Sequence, residues 1–319
     1  MVAMDSGADN GFFYTSQVMH FSSPFTVFLI YHKHLLGYGS NFYKSNWDIT
    51  SELSLVNIRR IENLQPVWLR VNNPFHEALF TLNDGLVRNF DITREHYPVI
   101  LDWLVNVIYT FDSINRLDSQ SGHPGLRGVL AYGQRVKYID SNYIGRGEFI
   151  QTSPTRKEMF NKNIVVYSPS ELQMNTAFSK AYIIEGSGSS MGVSGNNLYI
   201  DLEVINKIVE IGNSGIRESF ATVDGDPLPP AEYTYSASFT EDNGTPILCV
   251  KTICSEHTWI SFRITFSQGQ DYVNQKQSIV TKLYKPLSVE SSLFGPPDTE
   301  SYYEESTFHL NQWQSNTQK

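Results

Sequence analysis

The sequence predicts an α+β domain in which helices cover one face of an antiparallel sheet. Three observations carry this prediction: a short apolar strand at residues 25–31, a hairpin signal at Asn83-Asp84-Gly85 between two strand-like runs, and a long amphipathic stretch after Pro98. Strands that pair through hairpins and alternate with helices pack as one sheet with helices laid across it. We therefore expect the first two thirds of the chain to form a single unit.

The first predicted elements are a strand, a helix, a β-hairpin and a second helix, in that order. Aromatic and β-branched residues fill the first strand, and apolar residues recur at helical spacing over 50–64. The hairpin joins 77–82 to 86–92, because Asn or Asp before Gly suits a tight turn. Apolar residues from 101 to 117 then line one face of a long helix.

The next elements repeat this alternation. A second hairpin is predicted around Gly133, between runs at 126–132 and 135–139. A capping-box pattern at 170–173 predicts a helix that ends at Gly186. A short strand and a short helix complete the unit, and the order of elements amounts to a ferredoxin-like plan.

Beyond residue 215 the pattern changes to a β-meander, with a turn signal at Asn243-Gly244. The residues after Gln268 show little periodicity. We therefore expect four segments: an N-terminal extension at 1–24, the α+β domain at 25–214, an appended meander at 215–267, and an extended or mobile tail at 268–319.

The composition excludes several classes of function. Hydrophobic residues make up 40% of the 319 residues, enough for a core. The net charge of −9 repels nucleic acid and anionic lipid. The sequence has neither an apolar run of roughly 18 residues nor a signal peptide pattern. We expect a cytoplasmic protein that binds neither nucleic acid nor membrane, with Cys249 and Cys254 reduced and buried.

Four short patterns carry polar residues at strand ends or on a helix. Residues 34–38 read HLLGY after the first strand, and residues 80–85 read FTLNDG at the hairpin tip. Residues 126–133 read LRGVLAYG in a predicted strand, and residues 172–185 read LQMNTAFSKAYIIE in a predicted helix. The glycine-rich stretch 185–195 lacks the lysine of a phosphate-binding loop, so we predict a flexible connection there.

Together the four patterns resemble those of class III nucleotidyl cyclases, and most of all those of bacterial cyclase-like proteins such as the ones in Pycsar antiphage systems. The family patterns are D-[IL]-x-G-F, F-S-D-[GS], R-G-G-[IV]-x-x-G and V-N-x-A-x-R-[LI]-E. The resemblance extends over residues 25–201. It implies a cyclase fold, a nucleoside triphosphate as substrate, and a homodimer in which each site is built from both subunits.

The resemblance assigns a metal site to His34 and Asp84. Cyclases use two carboxylates there to hold Mn or Mg, which bind the phosphates and stabilise the moving charge. Asp84 matches one acidic position, whereas His34 replaces the other and favours a softer metal, because imidazole adds no negative charge. From the residues alone, Asp84 equally suits a tight turn, and His34 equally suits an ordinary strand position.

The resemblance places Arg127 and Tyr38 at the nucleotide and Asn175 at the ribose. Ser179 stands where the family has an arginine that neutralises the phosphorus. Lys180 is the nearest cation, one residue on and about 100° around the helix, and we take it with Asn175 as the catalytic candidates. A solvent-facing strand end for Arg127, and a packing role for the helix, are the alternatives.

Two functions are consistent with these patterns. The first is a divergent cyclase that converts a nucleoside triphosphate to a 3′,5′-cyclic mononucleotide and pyrophosphate in antiphage signalling. The second is a catalytically inactive cyclase-fold protein that acts in nucleotide sensing or protein–protein interaction. The loss of two charges from a site that must bind a polyanion favours the second function.

Overall fold

The fold consists of two β-sheets with helices packed between and beside them. A computed structural model of the chain describes residues 22–32, 50, 52, 55, 59–60, 62–64, 77–82, 85–92, 100–123, 125–136, 175–214, 233–254, 257–294 and 303–310. The elements are β1 (Ser22–His32), β2 (Glu77–Leu82), β3 (Gly85–Asp91), α1 (Ile100–Gln120), β4 (Leu126–Val136), α2 (Thr176–Ser187), β5 (Leu198–Asp201), α3 (Leu202–Gly212), β6 (Tyr233–Asp242), β7 (Thr245–Cys254), β8 (His257–Phe266), β9 (Gln270–Asn274), β10 (Ile279–Tyr284), β11 (Pro286–Phe294) and β12 (Tyr303–His309).

The first sheet has seven strands in the order β2-β3-β1-β4-β5-β10-β9. The predicted central strand is confirmed, because β1 pairs antiparallel with β3 on one side and with β4 on the other. The predicted first hairpin is confirmed as well, with Leu82 of β2 opposite Gly85 of β3. One pair, β4 with β5, is parallel, so this sheet is mixed rather than wholly antiparallel.

The second sheet has five strands in the order β12-β11-β8-β7-β6, and all of its pairs are antiparallel. The predicted meander is confirmed as β6, β7 and β8. Asn243 at φ 49° and Gly244 at φ 78° make its first turn, as the Asn-Gly pattern predicted. Two sheets with mainly antiparallel pairs and few helices agree with the predicted α+β class.

Helices pack on both faces of the first sheet, so the prediction of helices on one face is wrong. Leu126 and Leu130 of β4 lie in a core with α1, α3 and the second sheet. Val129 and Ala131 face the other way and pack with α2. Successive residues of a strand point to opposite faces of the sheet. Because β4 has apolar residues at consecutive positions, both faces of the sheet must be packed against other elements. Helices α1 and α3 form a layer between the two sheets.

The second predicted hairpin is wrong, because β4 is one strand of 11 residues. Gly133 makes no turn there; it lies opposite Phe25 of β1 and close to the first turn of α2. A Cβ atom at Gly133 would lie 2.5 Å from the backbone nitrogen of Ala177 and 2.6 Å from Oγ1 of Thr176. The glycine permits a close approach of the helix to the strand. In the sequence, a glycine that serves this purpose looks the same as a glycine that forms a turn.

Replacing Gly133 with alanine is expected to lower the free energy of unfolding by about 1–3 kcal/mol, because the added methyl group overpacks the contact with α2. Urea unfolding followed by circular dichroism measures this change. Gly186→Ala is the matched control, since a Cβ atom at Gly186 in α2 meets nothing within 4 Å. Alanine should stabilise the helix there by about 0.5–1 kcal/mol. Effects of the same sign and size at both glycines would contradict the packing role of Gly133.

Helix α2 begins at its own cap rather than at the predicted capping box. Asn175 has extended backbone, with φ −116° and ψ 103°, and its side-chain oxygen accepts a hydrogen bond from the N–H of Phe178 at 2.7 Å. The pattern at 170–173 lies outside the described residues. The C-cap is Gly188, at φ 60°, instead of Gly186.

The predicted extended tail is wrong for the described part of the C-terminal segment. Strands β9 and β10 complete the first sheet, and β11 and β12 extend the second. In β9 the inward-facing residues are Gln270, Tyr272 and Asn274, and only Tyr272 is apolar and buried. The sequence of the strand therefore lacks the apolar alternation by which strands are recognised. The residues after 268 therefore contribute to both sheets.

The described residues between 52 and 64 are helical, in agreement with the predicted amphipathic helix. From this segment Arg60 reaches Asp118 of α1 with two hydrogen bonds of 2.7 and 2.5 Å, and both side chains are buried.

Cys249 is an unpaired thiol that is half-buried rather than buried. Among the helices of the described segments, none is long and apolar enough to cross a membrane.

Candidate functional site

A pocket of about 400 Å³ lies beside the middle of α2, where this helix meets the end of β4, the start of α3 and the turn between β9 and β10. Its lining residues are Tyr132, Gly133, Thr176, Ser179, Lys180, Ile183, Glu203, Gln277, Ser278, Ile279 and Val280. Of the predicted site residues that the structure describes, Lys180 lines this pocket, whereas Asn175 and Arg127 do not. The pocket is the candidate functional site.

Lys180 is held by two carboxylates. Its ammonium nitrogen lies 2.6 Å from Oδ2 of Asp201 and 2.5 Å from Oε2 of Glu203. The Asp201 side chain is fully buried, whereas 53% of the Glu203 side chain is exposed. One positive charge against two negative charges leaves the cluster with one negative charge in excess.

Lys180 is a protonated ammonium group at neutral pH. Burial alone lowers the pKa of Lys180, but the charge of Asp201, its hydrogen bond and the contacts with Glu203 together raise the pKa above its ordinary value. A protonated amine has no lone pair with which to attack a substrate or accept a proton. Lys180 is therefore a fixed cation at the edge of the pocket rather than a nucleophile or a general base.

Asp201, the buried partner of Lys180, connects three elements of the fold. It is the N-cap of α3, where its Oδ1 atom accepts a hydrogen bond from the N–H of Glu203 at 3.3 Å. The hydroxyl group of Thr281, in β10, donates a short hydrogen bond to the same oxygen. With Lys180 of α2 on its other oxygen, this carboxylate ties α2, α3 and β10 together.

Asn175 serves the helix rather than the pocket. Asn175 is 3% exposed, and its side chain caps α2. Its backbone forms an isolated antiparallel β-bridge with Arg135 of β4. The backbone oxygen of Asn175 accepts hydrogen bonds from the N–H and the hydroxyl group of Ser179, at 3.1 and 2.9 Å. The resemblance implied a ribose contact for Asn175, and in the described residues its side-chain oxygen accepts the N–H of Phe178 as the cap of α2.

Arg127 is buried in an ion pair and does not project into solvent. Its guanidinium group donates to Oε1 of Glu185 at 2.9 and 2.5 Å, and to the backbone oxygens of Glu185 and Val193 at 3.2 and 3.3 Å. These bonds fasten the end of α2 and the glycine-rich stretch after it to β4. That stretch includes a 3₁₀ turn at Gly188–Met191, whereas the sequence predicted a flexible connection.

The predicted site residues separate into two groups at opposite ends of β4. Arg127 lies opposite Tyr31 of β1, whereas Gly133 lies against the start of α2. These positions are six residues apart along the strand, which corresponds to about 20 Å. Within one chain, Arg127 and the residues at the start of α2 therefore cannot contact the same small ligand.

The metal candidates lie outside the described residues. These are His34 and Asp84, and Tyr38 lies outside as well. The strands next to them are nevertheless hydrogen-bonded neighbours, because Ile30 of β1 pairs with Leu86 of β3. Within the described ranges, no group of three or more His, Cys, Asp or Glu side chains is placed to hold a metal ion.

Sequence reasoning missed the partners of Lys180. The signal for Asp201 was present, because Asp directly before a predicted helix is a favoured N-cap. The contact of Asp201 with Lys180 could not be predicted from the sequence, since the two residues are 21 positions apart and the contact depends on tertiary packing. The polar wall at Gln277 and Ser278 was missed because the whole segment was predicted to be a tail.

No protein-family model matches the chain, and no curated protein matches it in sequence. Among solved structures, the guanylyl cyclase Cya2 aligns with a TM-score of 0.39 and 9% sequence identity, over 88% of this chain and 97% of that chain. A TM-score of this size does not establish a common fold.

Proposed function

We propose that the chain is a cyclase-fold protein that binds a ligand or partner at the α2 pocket without cyclising a nucleotide. One observation carries this proposal: Lys180, the cation nearest the position of the missing family arginine, is neutralised by Asp201 and Glu203. The other two described candidates are engaged as well, Asn175 as a helix cap and Arg127 in an ion pair.

The electrostatics of phosphoryl transfer support this proposal. Negative charge spreads over the phosphate oxygens in the transition state, and catalysis depends on cations placed to stabilise it. Lys180 would have to leave the fully buried Asp201 carboxylate in order to serve there, and breaking such a pair is costly. The excess negative charge of the cluster would also repel a triphosphate.

The direct test is an assay for cyclic product. Purified protein is incubated with each of the four common nucleoside triphosphates and with Mn or Mg, and products are separated by liquid chromatography and identified by mass spectrometry. We expect no cyclic mononucleotide and no pyrophosphate above a protein-free control. Circular dichroism and urea unfolding of the same sample establish that the protein is folded. Cyclic product in proportion to protein would contradict the proposal.

A second candidate, a nucleotide cyclase that acts as a homodimer, is supported by the separation of the predicted site residues along β4. Two chains arranged so that the β1–β3 end of one meets the α2 end of the other would unite residues that a single chain keeps apart. His34 and Asp84 would then hold the metal, and an imidazole with a carboxylate suits Mn better than Mg. A bound metal would supply positive charge for the phosphates. If product forms, Asp84→Ala should abolish it, and light scattering should show a dimer.

A further inference from the structure

The α2 pocket combines an apolar wall, polar uncharged groups and an excess of negative charge. Ile183, Ile279 and Val280 contribute apolar surface, and Gln277 and Ser278 contribute an amide and a hydroxyl group. At about 400 Å³ the pocket falls within the range of small-molecule sites, roughly 300–1,000 Å³. Its volume suits a ligand with one ring and a short side chain.

The net charge beside this pocket determines which sign of charge a ligand should have. Lys180 and Asp201 cancel each other in the buried part of the cluster, so the half-exposed Glu203 carboxylate is the net charge that a ligand meets. The contact with Lys180 uses Oε2 of that carboxylate, and Oε1 takes no part in it. Lys276, on the neighbouring 3₁₀ turn, is exposed and does not line the pocket.

From this arrangement we propose that the α2 pocket binds a small organic cation, a protonated amine on a flat apolar body, and rejects anions of the same shape. The ammonium group donates to the Glu203 carboxylate, a charge-assisted hydrogen bond of the stronger kind. The body lies against Ile183 and Ile279, which line the pocket. Gln277 and Ser278 supply hydrogen-bonding groups for polar substituents.

This inference deepens the proposed function by naming the class of ligand for the same pocket. The two fail separately: formation of a cyclic nucleotide contradicts the proposed function, whereas the order of affinities for charged ligands decides this inference. A cyclase could still have an amine site, and an inactive protein could still prefer anions. The two experiments therefore give independent answers.

The test uses three probes with a common phenol ring and nearly equal side chains: tyramine carries a positive charge, tyrosol carries none and 4-hydroxyphenylacetate carries a negative charge. Isothermal titration calorimetry on the full chain at low ionic strength measures each dissociation constant. We expect tyramine to bind most tightly and 4-hydroxyphenylacetate not to bind. Glu203→Gln should weaken tyramine by about tenfold or more, because it removes a charge-assisted contact, and should leave tyrosol within about twofold.

Glu210→Gln is the matched control. Glu210 lies in α3 like Glu203, its side chain is 68% exposed and bound to Lys207, and it does not line the pocket. Its loss should leave all three affinities unchanged, and urea unfolding shows that both variants are folded. The proposal is overturned if tyramine fails to bind at millimolar concentration, if the negatively charged probe binds as tightly, or if Glu203→Gln has no more effect than Glu210→Gln.

Discussion

Replacing Arg127 with methionine is expected to destabilise the fold by about 3–5 kcal/mol, because the substitution leaves the Glu185 carboxylate buried without its cation. The side chains of the pair are 10% and 8% exposed, and the guanidinium group also satisfies two backbone oxygens. The substitution removes the guanidinium donor from both oxygens, although the oxygen of Glu185 keeps the N–H of Gly188. Urea unfolding gives the change in the free energy of unfolding.

Arg263→Met is the control for this substitution. Arg263 is also a strand arginine, but its side chain is 47% exposed and its carboxylate partners lie 3.7 and 4.0 Å away. An exposed pair of this kind contributes about 0–1 kcal/mol. The double variant Arg127→Met with Glu185→Leu should recover part of the loss, since it removes both charges together. If Arg127→Met lowers the free energy of unfolding no more than Arg263→Met does, the structural role of the Arg127–Glu185 ion pair is refuted and a ligand-binding role for Arg127 is favoured.

Lys180→Met should cost about 3 kcal/mol, because Asp201 would then be a fully buried carboxylate without a cation. Thermal and urea unfolding measure the loss. If Lys180 were a catalytic residue held loosely at a surface, its removal would leave stability almost unchanged.

Lys282→Met provides the comparison, because Lys282 forms an exposed pair with Asp271, at 3.8 Å, and should matter little. Adding Asp201→Asn to Lys180→Met should restore part of the stability, since the amide is uncharged yet can still cap α3. Strictly additive effects in this double-mutant cycle would show that the two side chains are not coupled.

The elements that local signals specify were predictable. The first hairpin, the long helix and the β6–β7 turn depend on neighbouring residues alone, through an Asn or Asp before Gly and a 3.6-residue period. Gly133 shows the limit of such signals. A glycine has several uses, and only the packing of α2 against β4 decides that close approach is the use made here.

The candidate site was less predictable than the fold. Lys180 was found through a family pattern, yet its chemistry depends on Asp201 and Glu203, which belong to a different helix and strand. Arg127 was expected at a nucleotide or at a solvent-facing strand end. It is buried rather than solvent-facing, in an ion pair with Glu185, which lies 58 residues further on. Contacts of this range arise from topology, which short patterns do not encode.

The hydrogen bond between Thr281 and Asp201 joins residues 80 positions apart, and it has a consequence for synthesis of the chain. Strand β5 emerges from the ribosome well before β10, with all three strands of the meander between them. Until β10 arrives, β5 has an open edge and the Asp201 carboxylate lacks its hydroxyl donor. Open strand edges promote pairing with other chains, so the nascent protein is exposed to such pairing in the interval between the synthesis of these strands.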